Sequence, residues 1–333
     1  MQVKFSKQSQ KKKTTAPEEI VFHLLHLGLM RDYINYEFSS LHDAECGYDL
    51  EAIIDDFVFL SFLVGNDFIP HLPGLHINKE GLPIIHQVYK DVFHKMNGYL
   101  NEKGKLNLER FEIFMEELSS VDIEQFRDLN ADLKYIRSKQ TNSDQYSEEM
   151  DLINPEPLSN SEIVDKLQKL GIEPMPEFLN SDSDQSDEDT FDEEFILHKH
   201  NYYREKMGFE TVTAEVLRDQ TMNYVQGLQW ILNYYYNGVS SWSWFYPFHY
   251  APYISDIKNF KHLVFNFNKG QPFKPFEQLL AVLPPMSAKL LPEPYRALMF
   301  QEESTVKNYY PIDFKTDLNG KVNVSICMIK DLL

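Results

Sequence analysis

The sequence has few cysteines, no long apolar segment and a shortage of basic residues. Its two cysteines, Cys46 and Cys327, are far apart and form no CxxC pair. This excludes a disulfide framework and a structural zinc site, and it favours a reducing compartment. The longest apolar run, residues 57–64, is well short of the roughly 20 residues that a membrane-spanning helix needs. No apolar segment follows the basic first residues, so no secretory signal is predicted and we expect a soluble intracellular protein.

Motifs of several common enzyme classes are also missing. The sequence contains no glycine-rich phosphate-binding loop, no GxSxG nucleophile motif and no CxxC pair. Each of these motifs positions a group that its chemistry requires. The sequence therefore lacks the motifs that usually indicate a nucleotide hydrolase, a serine hydrolase or a redox protein.

The shortage of basic residues is concentrated in one segment. The formal net charge of the 333-residue chain is −19, but residues 141–200 hold 17 acidic and only 3 basic residues. Stretches with many acids and few apolar side chains cannot bury enough surface to fold. Residues 141–194 are therefore predicted to be a disordered, solvated linker, and the remainder of the chain is only mildly acidic.

The rest of the chain is rich in residues that can form a core. Hydrophobic residues make up 43% and aromatic residues 14% of the sequence, which excludes a wholly disordered chain. Apolar side chains recur mainly at helical spacing, with one possible strand at residues 262–267. A predominantly α-helical, α+β fold is expected. The predicted helices cover residues 18–40, 49–63, 82–96, 108–118 and 213–236.

These patterns divide the chain into five parts. A basic polar segment, an ordered helical part, the acidic linker, a second ordered part and a divergent tail follow one another along the sequence. Their predicted ranges are 1–17, 18–140, 141–194, 195–321 and 322–333.

One turn motif could contribute to a metal site. In VGNDFIPHLPGLHIN at residues 64–78, Gly65 is expected to end a helix and leave the Asp67 carboxylate projecting from a tight turn. Hydrolysis by two metal ions needs several converging acidic oxygens, so one carboxylate is not a site. On residue types alone, turn capping is the favoured role of Asp67. Asp55 and Asp56 point about 100° apart on a helix, which favours a helix surface or an internal salt bridge.

Two histidine pairs resemble zinc ligands only superficially. His23 and His26 are predicted to share a helical face, and His71 and His76 flank a Pro-Gly turn. Neither pair has a cysteine or a third histidine at matching spacing. Packing or hydrogen bonding is therefore the expected role of all four.

An aromatic segment, SWSWFYPFHYAPY at residues 241–253, is the second candidate. Trp242 and Trp244 would share a side of an extended chain and would point about 200° apart on a helix. Such side chains either belong to a core or stack on nucleic-acid bases. The composition favours the core and leaves base stacking open.

At these same residues the sequence resembles the Xrn family of 5′→3′ exoribonucleases, in particular its cytoplasmic, Pacman-like branch. Five blocks carry the resemblance in order and together cover about two-thirds of the chain, so the likeness is far more specific than a single motif. The blocks are FHLLHLGLMRDYINYEF (22–38), IIDDFVFLSFLVGNDFIPHLPGLHIN (53–78), GYLNEKGKLNLERFE (98–112), GLQWILNYYYNGVSSWSWFYPFHYAPYISDI (227–257), and KPFEQLLAVLP with YYPIDFKTDLNGK (274–284 and 309–321).

The resemblance implies a function and three site residues. In this family the acid of the GNDF turn is the last member of a metal-binding acidic cluster, so Asp67 resembles a ligand of Mg²⁺ or Mn²⁺. A tryptophan of the family stacks on the 5′-terminal base, which implicates either Trp242 or Trp244. The implied substrate is single-stranded RNA with a 5′-monophosphate, hydrolysed in cytoplasmic mRNA decay. Decapping and decay factors are the implied protein partners, and no membrane is involved.

The resemblance also implies that most of the active site is missing. The other acidic ligands, the 5′-phosphate pocket and the partner histidine of the tryptophan lie upstream of the HLLH block in the family. We therefore expect an incomplete portion of a larger α/β nuclease core, truncated at both ends and inactive in isolation. The alternatives are a non-catalytic RNA-binding or interaction protein derived from such a nuclease, and a non-functional truncated product.

Overall fold

The computed structural model describes residues 23–129, 187–209 and 211–311, together with the short segments 316–317 and 328–329. The described helices confirm a predominantly α-helical fold. In chain order they are α1 (Leu27–Glu37), α2 (Leu50–Ser61), α3 (Gly81–Met96), α4 (Leu108–Leu118), α5 (residues 120–129), α6 (Asp187–Met207), α7 (Ala214–Asn237), α8 (Pro275–Val282) and α9 (Glu293–Phe300).

Two short antiparallel strand pairs and several short 3-10 helices accompany these α-helices. β1 (Asn101–Glu102) pairs with β2 (Lys105–Leu106), with Asn101 opposite Leu106, in a hairpin between α3 and α4. β3 (Thr316–Asp317) pairs with β4 (Met328–Ile329). The strand predicted over residues 262–267 is wrong, because this segment has no regular secondary structure. Its apolar side chains Leu263, Phe265 and Phe267 pack singly against the main core instead of joining a ladder.

Local sequence signals explain where several helices begin. The side chains of Asp49, Asn107 and Thr213 accept hydrogen bonds from the first turns of α2, α4 and α7, respectively. Such caps satisfy amide groups that a helix terminus leaves unpaired, and each contributes about 1 kcal/mol. The observed bounds of α2, α3, α4 and α7 agree with the predicted ranges to within a few residues.

The first predicted helix is shorter and less buried than expected. α1 begins at Leu27, and Ile34 is its only buried residue, whereas Tyr33 and Tyr36 are 67% and 79% exposed. His23 and His26 therefore precede the helix and do not share a helical face. The Nδ1 atom of His26 instead accepts a hydrogen bond from the Leu29 amide.

The main core lies between α2, α3, α4 and the middle of α7. Fully buried side chains include Phe59 of α2, Tyr89 and Phe93 of α3, Phe111 of α4 and Tyr224 of α7. Burial of one such side chain stabilises the fold by about 1.5–3 kcal/mol. A second, small cluster of Ala288, Leu291 and Met299 is packed around α8 and α9.

The acidic linker ends earlier than predicted. α6 begins at Asp187, inside the range 141–194 that was predicted to be disordered. Packing explains the difference, because the ring of Phe191 lies 5.2 Å from that of Phe126 in α5 and the Arg127 guanidinium lies over it. Residues 141–186 are outside the described part of the chain.

Among the described residues, no helix is both long enough and apolar enough to cross a membrane.

Candidate functional site

The Asp67 turn is a tightly bonded loop that follows α2. A short 3-10 helix, Phe62–Val64, ends at Gly65, whose φ of 89° is rarely adopted by other residues. A Cβ atom on Gly65 would lie 2.9 Å from the His71 amide nitrogen, so only glycine fits. The Asn66 side chain accepts hydrogen bonds from the amides of Phe68 and Ile69 at 2.8 and 3.1 Å.

These bonds leave the Asp67 side chain at the exposed tip of the turn. The structure therefore confirms the prediction that this carboxylate is exposed at the turn. Because the turn is already ordered, binding of a cation to the Asp67 carboxylate costs less conformational entropy than binding to a flexible loop.

A series of aromatic ring contacts connects this turn to the aromatic segment. Phe68, the neighbour of Asp67, lies with its ring centroid 5.1 Å from those of both Trp230 and Tyr234 in α7. Trp230 in turn stacks on Trp244 at 5.5 Å and 27°. The turn and residues 241–253 therefore form one packed unit, although more than 170 residues separate them in the sequence.

The two candidate tryptophans have different environments. Trp244 is half-buried, and its ring lies so close to Gly227 that an added Cβ atom there would be 2.9 Å from it. Trp242 is 47% exposed, while its amide donates to the Lys269 carbonyl at 3.0 Å. Thus Trp242 offers an accessible ring on an anchored backbone, and Trp244 is mostly a packing residue.

The Asp55–Asp56 pair is internal to the fold. Asp56 is fully buried and accepts hydrogen bonds from the Tyr89 hydroxyl at 2.6 Å and from the amides of Leu100 and Asn101 at 2.8 Å. Burial raises the pKa of Asp56 to about 7, although these three donors act in the opposite direction. Asp56 thus connects the start of the hairpin to α2 and α3 by hydrogen bonds, and it forms no salt bridge with any residue that the structure describes.

Asp55 joins the same network through Tyr236, whose hydroxyl also accepts a hydrogen bond from the Asn101 side chain. It accepts a hydrogen bond from the Tyr236 hydroxyl at the end of α7. Burial, followed by this hydrogen bond, raises the pKa of Tyr236 to about 12. Both neighbouring acids therefore stabilise contacts between helices, and neither lies free for a metal.

The histidines of the Pro-Gly turn make hydrogen bonds, as predicted. The Nδ1 atom of His71 is 2.8 Å from the Leu72 carbonyl, and that of His76 accepts from the Asn78 amide at 3.2 Å. The two rings meet edge to face with centroids 4.9 Å apart. Among the described residues, no group of three or more histidine, cysteine, aspartate or glutamate side chains could bind a metal ion. Asp67 is thus a single potential ligand, and the described residues do not form a complete metal site.

A buried polar network was missed by the sequence analysis. The Asp256 carboxylate accepts from Lys199 Nζ at 2.6 Å and from the Tyr203 hydroxyl at 2.7 Å. Nearby, Asp122 accepts from the Ser255 amide at 2.8 Å, and burial raises its pKa to about 6. No spacing rule signals this network, because α5, α6 and residues 253–256 come from three separate parts of the chain.

Asp122 also lines a cleft of about 780 Å³. The loop of residues 71–78, α5, α6 and Tyr253 form its walls. This volume is within the range of roughly 300–1,000 Å³ that small-molecule sites occupy.

Comparison with known proteins gives related sequences over most of the chain. The family described as Xrn1 helical domain matches residues 47–330. The chain is 49% identical over 320 residues to 5′-3′ exoribonuclease 1 of Homo sapiens, covering 92% of this chain and 19% of that protein. It is 35% identical over 376 residues to 5′-3′ exoribonuclease 1 of Schizosaccharomyces pombe, covering 90% and 28%. It is 33% identical over 345 residues to 5′-3′ exoribonuclease 2 of Gallus gallus, covering 91% and 36%.

The chain therefore spans about a fifth to a third of the length of these relatives. The family match includes the Asp67 turn, the hairpin, α7 and the aromatic segment. Because it extends over far more than half of the sequence, the chain belongs to the Xrn1 helical domain family.

Proposed function

We propose that this chain is the helical portion of a metal-dependent 5′→3′ exoribonuclease that degrades RNA carrying a 5′-monophosphate. The observation that carries the proposal is the packed unit formed by the Asp67 turn and the aromatic segment. This unit presents an exposed carboxylate and an exposed indole ring, which suit a metal ligand and a base-stacking platform.

In this proposal Asp67 is one ligand of a Mg²⁺ or Mn²⁺ ion. A divalent cation bound by such acids activates water and stabilises the charge that develops on phosphate. The described residues supply one carboxylate for this purpose, so no step of hydrolysis is assigned to them alone. The role of this chain is to fix the position of that carboxylate through Gly65, Asn66 and the contacts of Phe68 with α7.

Trp242 is the preferred base-stacking residue of the two candidates. Its ring is accessible, whereas the ring of Trp244 is already packed between Trp230 and Gly227. Stacking of one base on an aromatic side chain contributes about 1–3 kcal/mol and tolerates any base, as a processive nuclease requires.

The relatives named exoribonuclease 1 support a place in cytoplasmic mRNA decay. The identity of 49% to the human exoribonuclease 1 exceeds the 33% to the chicken exoribonuclease 2. We propose that RNA is the main partner and that decapping and decay factors are protein partners. The net charge of −19 does not oppose RNA binding, because most of it lies in residues 141–200.

A second candidate function is a non-catalytic RNA-binding or interaction protein. Exposed apolar side chains on α1 and around α8 favour it, including Leu27, Tyr36, Phe273 and Met286. The chain alone is expected to show no measurable exonuclease activity, since one carboxylate cannot bind two metal ions.

The test is degradation of 5′-monophosphorylated RNA in the presence of Mg²⁺. This chain is compared with a protein extended upstream to include the other acidic motifs of the family. In the extended protein, Asp67→Asn is expected to abolish activity, and Asp43→Asn, which removes an exposed acid elsewhere, is expected to preserve it. If both variants stay active, Asp67 is not a ligand. If the extended protein binds RNA without degrading it, the interaction function is supported instead.

A further inference from the structure

The cleft lined by Asp122 includes His71, only four residues after Asp67 in the sequence. The charge of its lining nevertheless differs from that of a site that binds RNA. The lining includes two carboxylates, Asp122 and Asp128, whereas no lysine or arginine is among the described residues that line it. A phosphate group would meet negative charge without a compensating cation. The cleft therefore does not suit the RNA backbone.

The environment of Asp122 is the main evidence for the kind of ligand that this cleft binds. Asp122 is 3% exposed, its Oδ2 atom accepts from the Ser255 amide, and its Oδ1 atom has no hydrogen-bond partner. A buried polar atom without a partner costs about 1–3 kcal/mol, and more when it is charged. Asp122 can be satisfied by a ligand that brings a hydrogen-bond donor.

The nearest basic side chain does not fill this role. Lys199 Nζ is 2.6 Å from Asp256 and 3.2 Å from the Ser255 hydroxyl, so its charge is already paired. Its attraction to Asp122 is only a minor influence on that carboxyl, after burial and the Ser255 hydrogen bonds. The Oδ1 atom of Asp122 thus remains an acceptor without a hydrogen-bond donor.

Aromatic side chains form the wall beside Asp122. The Phe126 ring lies 5.2 Å from Phe195 and 5.0 Å from His198, and Phe195 meets Tyr253 edge to face at 6.3 Å. Aromatic faces attract cations, and alkyl stems pack against them. The combination of carboxylates with an aromatic wall is suited to a positively charged organic group.

We propose that this cleft binds an organic cation, either an alkylammonium or a guanidinium group. The N–H donors of the cation pair with Asp122 Oδ1, and Asp128 at the exposed end of the cleft adds a second negative charge. The stem of the ligand lies along the aromatic wall. A free polyamine and the side chain of a lysine or arginine both carry this chemistry. The site is independent of the nuclease assignment, because it uses neither Asp67 nor Trp242.

The first test is calorimetric titration of the full chain at pH 8, above the ordinary titration range of histidine. Spermidine probes a free polyamine, and N-acetylarginine amide and N-acetyllysine amide probe protein side chains. Saturable one-site binding of at least one probe is expected. Heat from spermidine alone identifies a polyamine site, and heat from either amide identifies a side-chain site. The absence of saturable binding of all three probes up to millimolar concentration would overturn the proposal.

A matched pair of variants separates the site from general attraction to an acidic chain. Asp122→Asn and Glu124→Gln each remove one negative charge from α5, but Glu124 is exposed and does not line the cleft. Asp122→Asn is expected to weaken binding about tenfold or more, since a charge-assisted hydrogen bond is lost. Glu124→Gln is expected to change the affinity less than about twofold. Equal losses in the two variants would refute the site.

Asp128→Asn keeps the proposal testable if Asp122→Asn unfolds. Asp128 is exposed, so its replacement leaves the fold intact, and far-ultraviolet circular dichroism checks this. A loss of affinity clearly larger than that in Glu124→Gln supports the cleft. An affinity equal to that of Glu124→Gln contradicts it.

Discussion

The buried carboxyl of Asp56 leads to a prediction about stability and pH. Its ordinary pKa of 3.8 is raised to about 7 in the folded chain, because burial disfavours the charged form. Between these values the folded state binds the proton that the unfolded state has released. Stability from this group is therefore fully present below about pH 4 and is lost as the pH rises towards 7.

The magnitude follows from the two pKa values. One pH unit corresponds to about 1.4 kcal/mol, so a group with a folded pKa near 7 lowers the free energy of unfolding by about 2 kcal/mol between pH 5.5 and 8. Asp56→Asn cannot titrate at this position. The stability difference between the wild type and Asp56→Asn should therefore shrink by about that amount over the same interval.

Urea denaturation followed by tryptophan fluorescence measures this difference at pH 5.5, 6.5, 7.2 and 8. Asp122, whose pKa is raised to about 6 by burial, adds a dependence of the same sign. It is present in both proteins, so it cancels in their difference. Asp43→Asn on the surface controls for the loss of one charge.

A stability difference that does not vary with pH would refute the reasoning. It would mean that the hydrogen bonds from Tyr89, Leu100 and Asn101 keep Asp56 ionised in spite of burial.

Three further predictions concern the Asp67 turn and the aromatic segment. Gly65→Ala should lower the free energy of unfolding by about 1–3 kcal/mol, measured by urea denaturation, because of the positive φ and the contact with the His71 amide. Asn66→Ala should cost about 1–2 kcal/mol in the same assay, since two amides lose their acceptor; an unchanged midpoint would mean that water replaces it. Trp242→Ala should weaken RNA binding by the extended protein by about 1–3 kcal/mol in an anisotropy titration and leave the melting temperature unchanged. Trp244→Ala should instead lower the melting temperature. The reverse pattern would contradict the assignment of Trp242.

The structure also leaves apolar side chains of α1 exposed. Leu27, Tyr33 and Tyr36 are 68%, 67% and 79% exposed, and Ile34 is the only buried residue of α1. Large exposed apolar patches are typical of surfaces that contact another protein or domain. These exposed side chains are the observation that favours the second candidate function, an interaction protein.

Much of the helical architecture was determined by the sequence itself. Apolar spacing located α2, α3, α4 and α7, because this signal acts between residues only a few positions apart. The Gly65 turn and the exposure of Asp67 followed from the same local rules. Four of the five blocks of family resemblance lie within residues 47–330, which the family match covers.

Only the tertiary structure decided what depends on distant segments. Examples are the burial of Asp56 beside the hairpin, the edge-to-face contact of Phe68 with Trp230, and the different exposure of Trp242 and Trp244. Each depends on residues far apart in the sequence. The spacing of residues in one segment carries no information about which other segment covers it. For the same reason local patterns wrongly predicted a strand at residues 262–267 and a helix around His23, since side-chain contacts with the core, or their absence, decide such marginal elements.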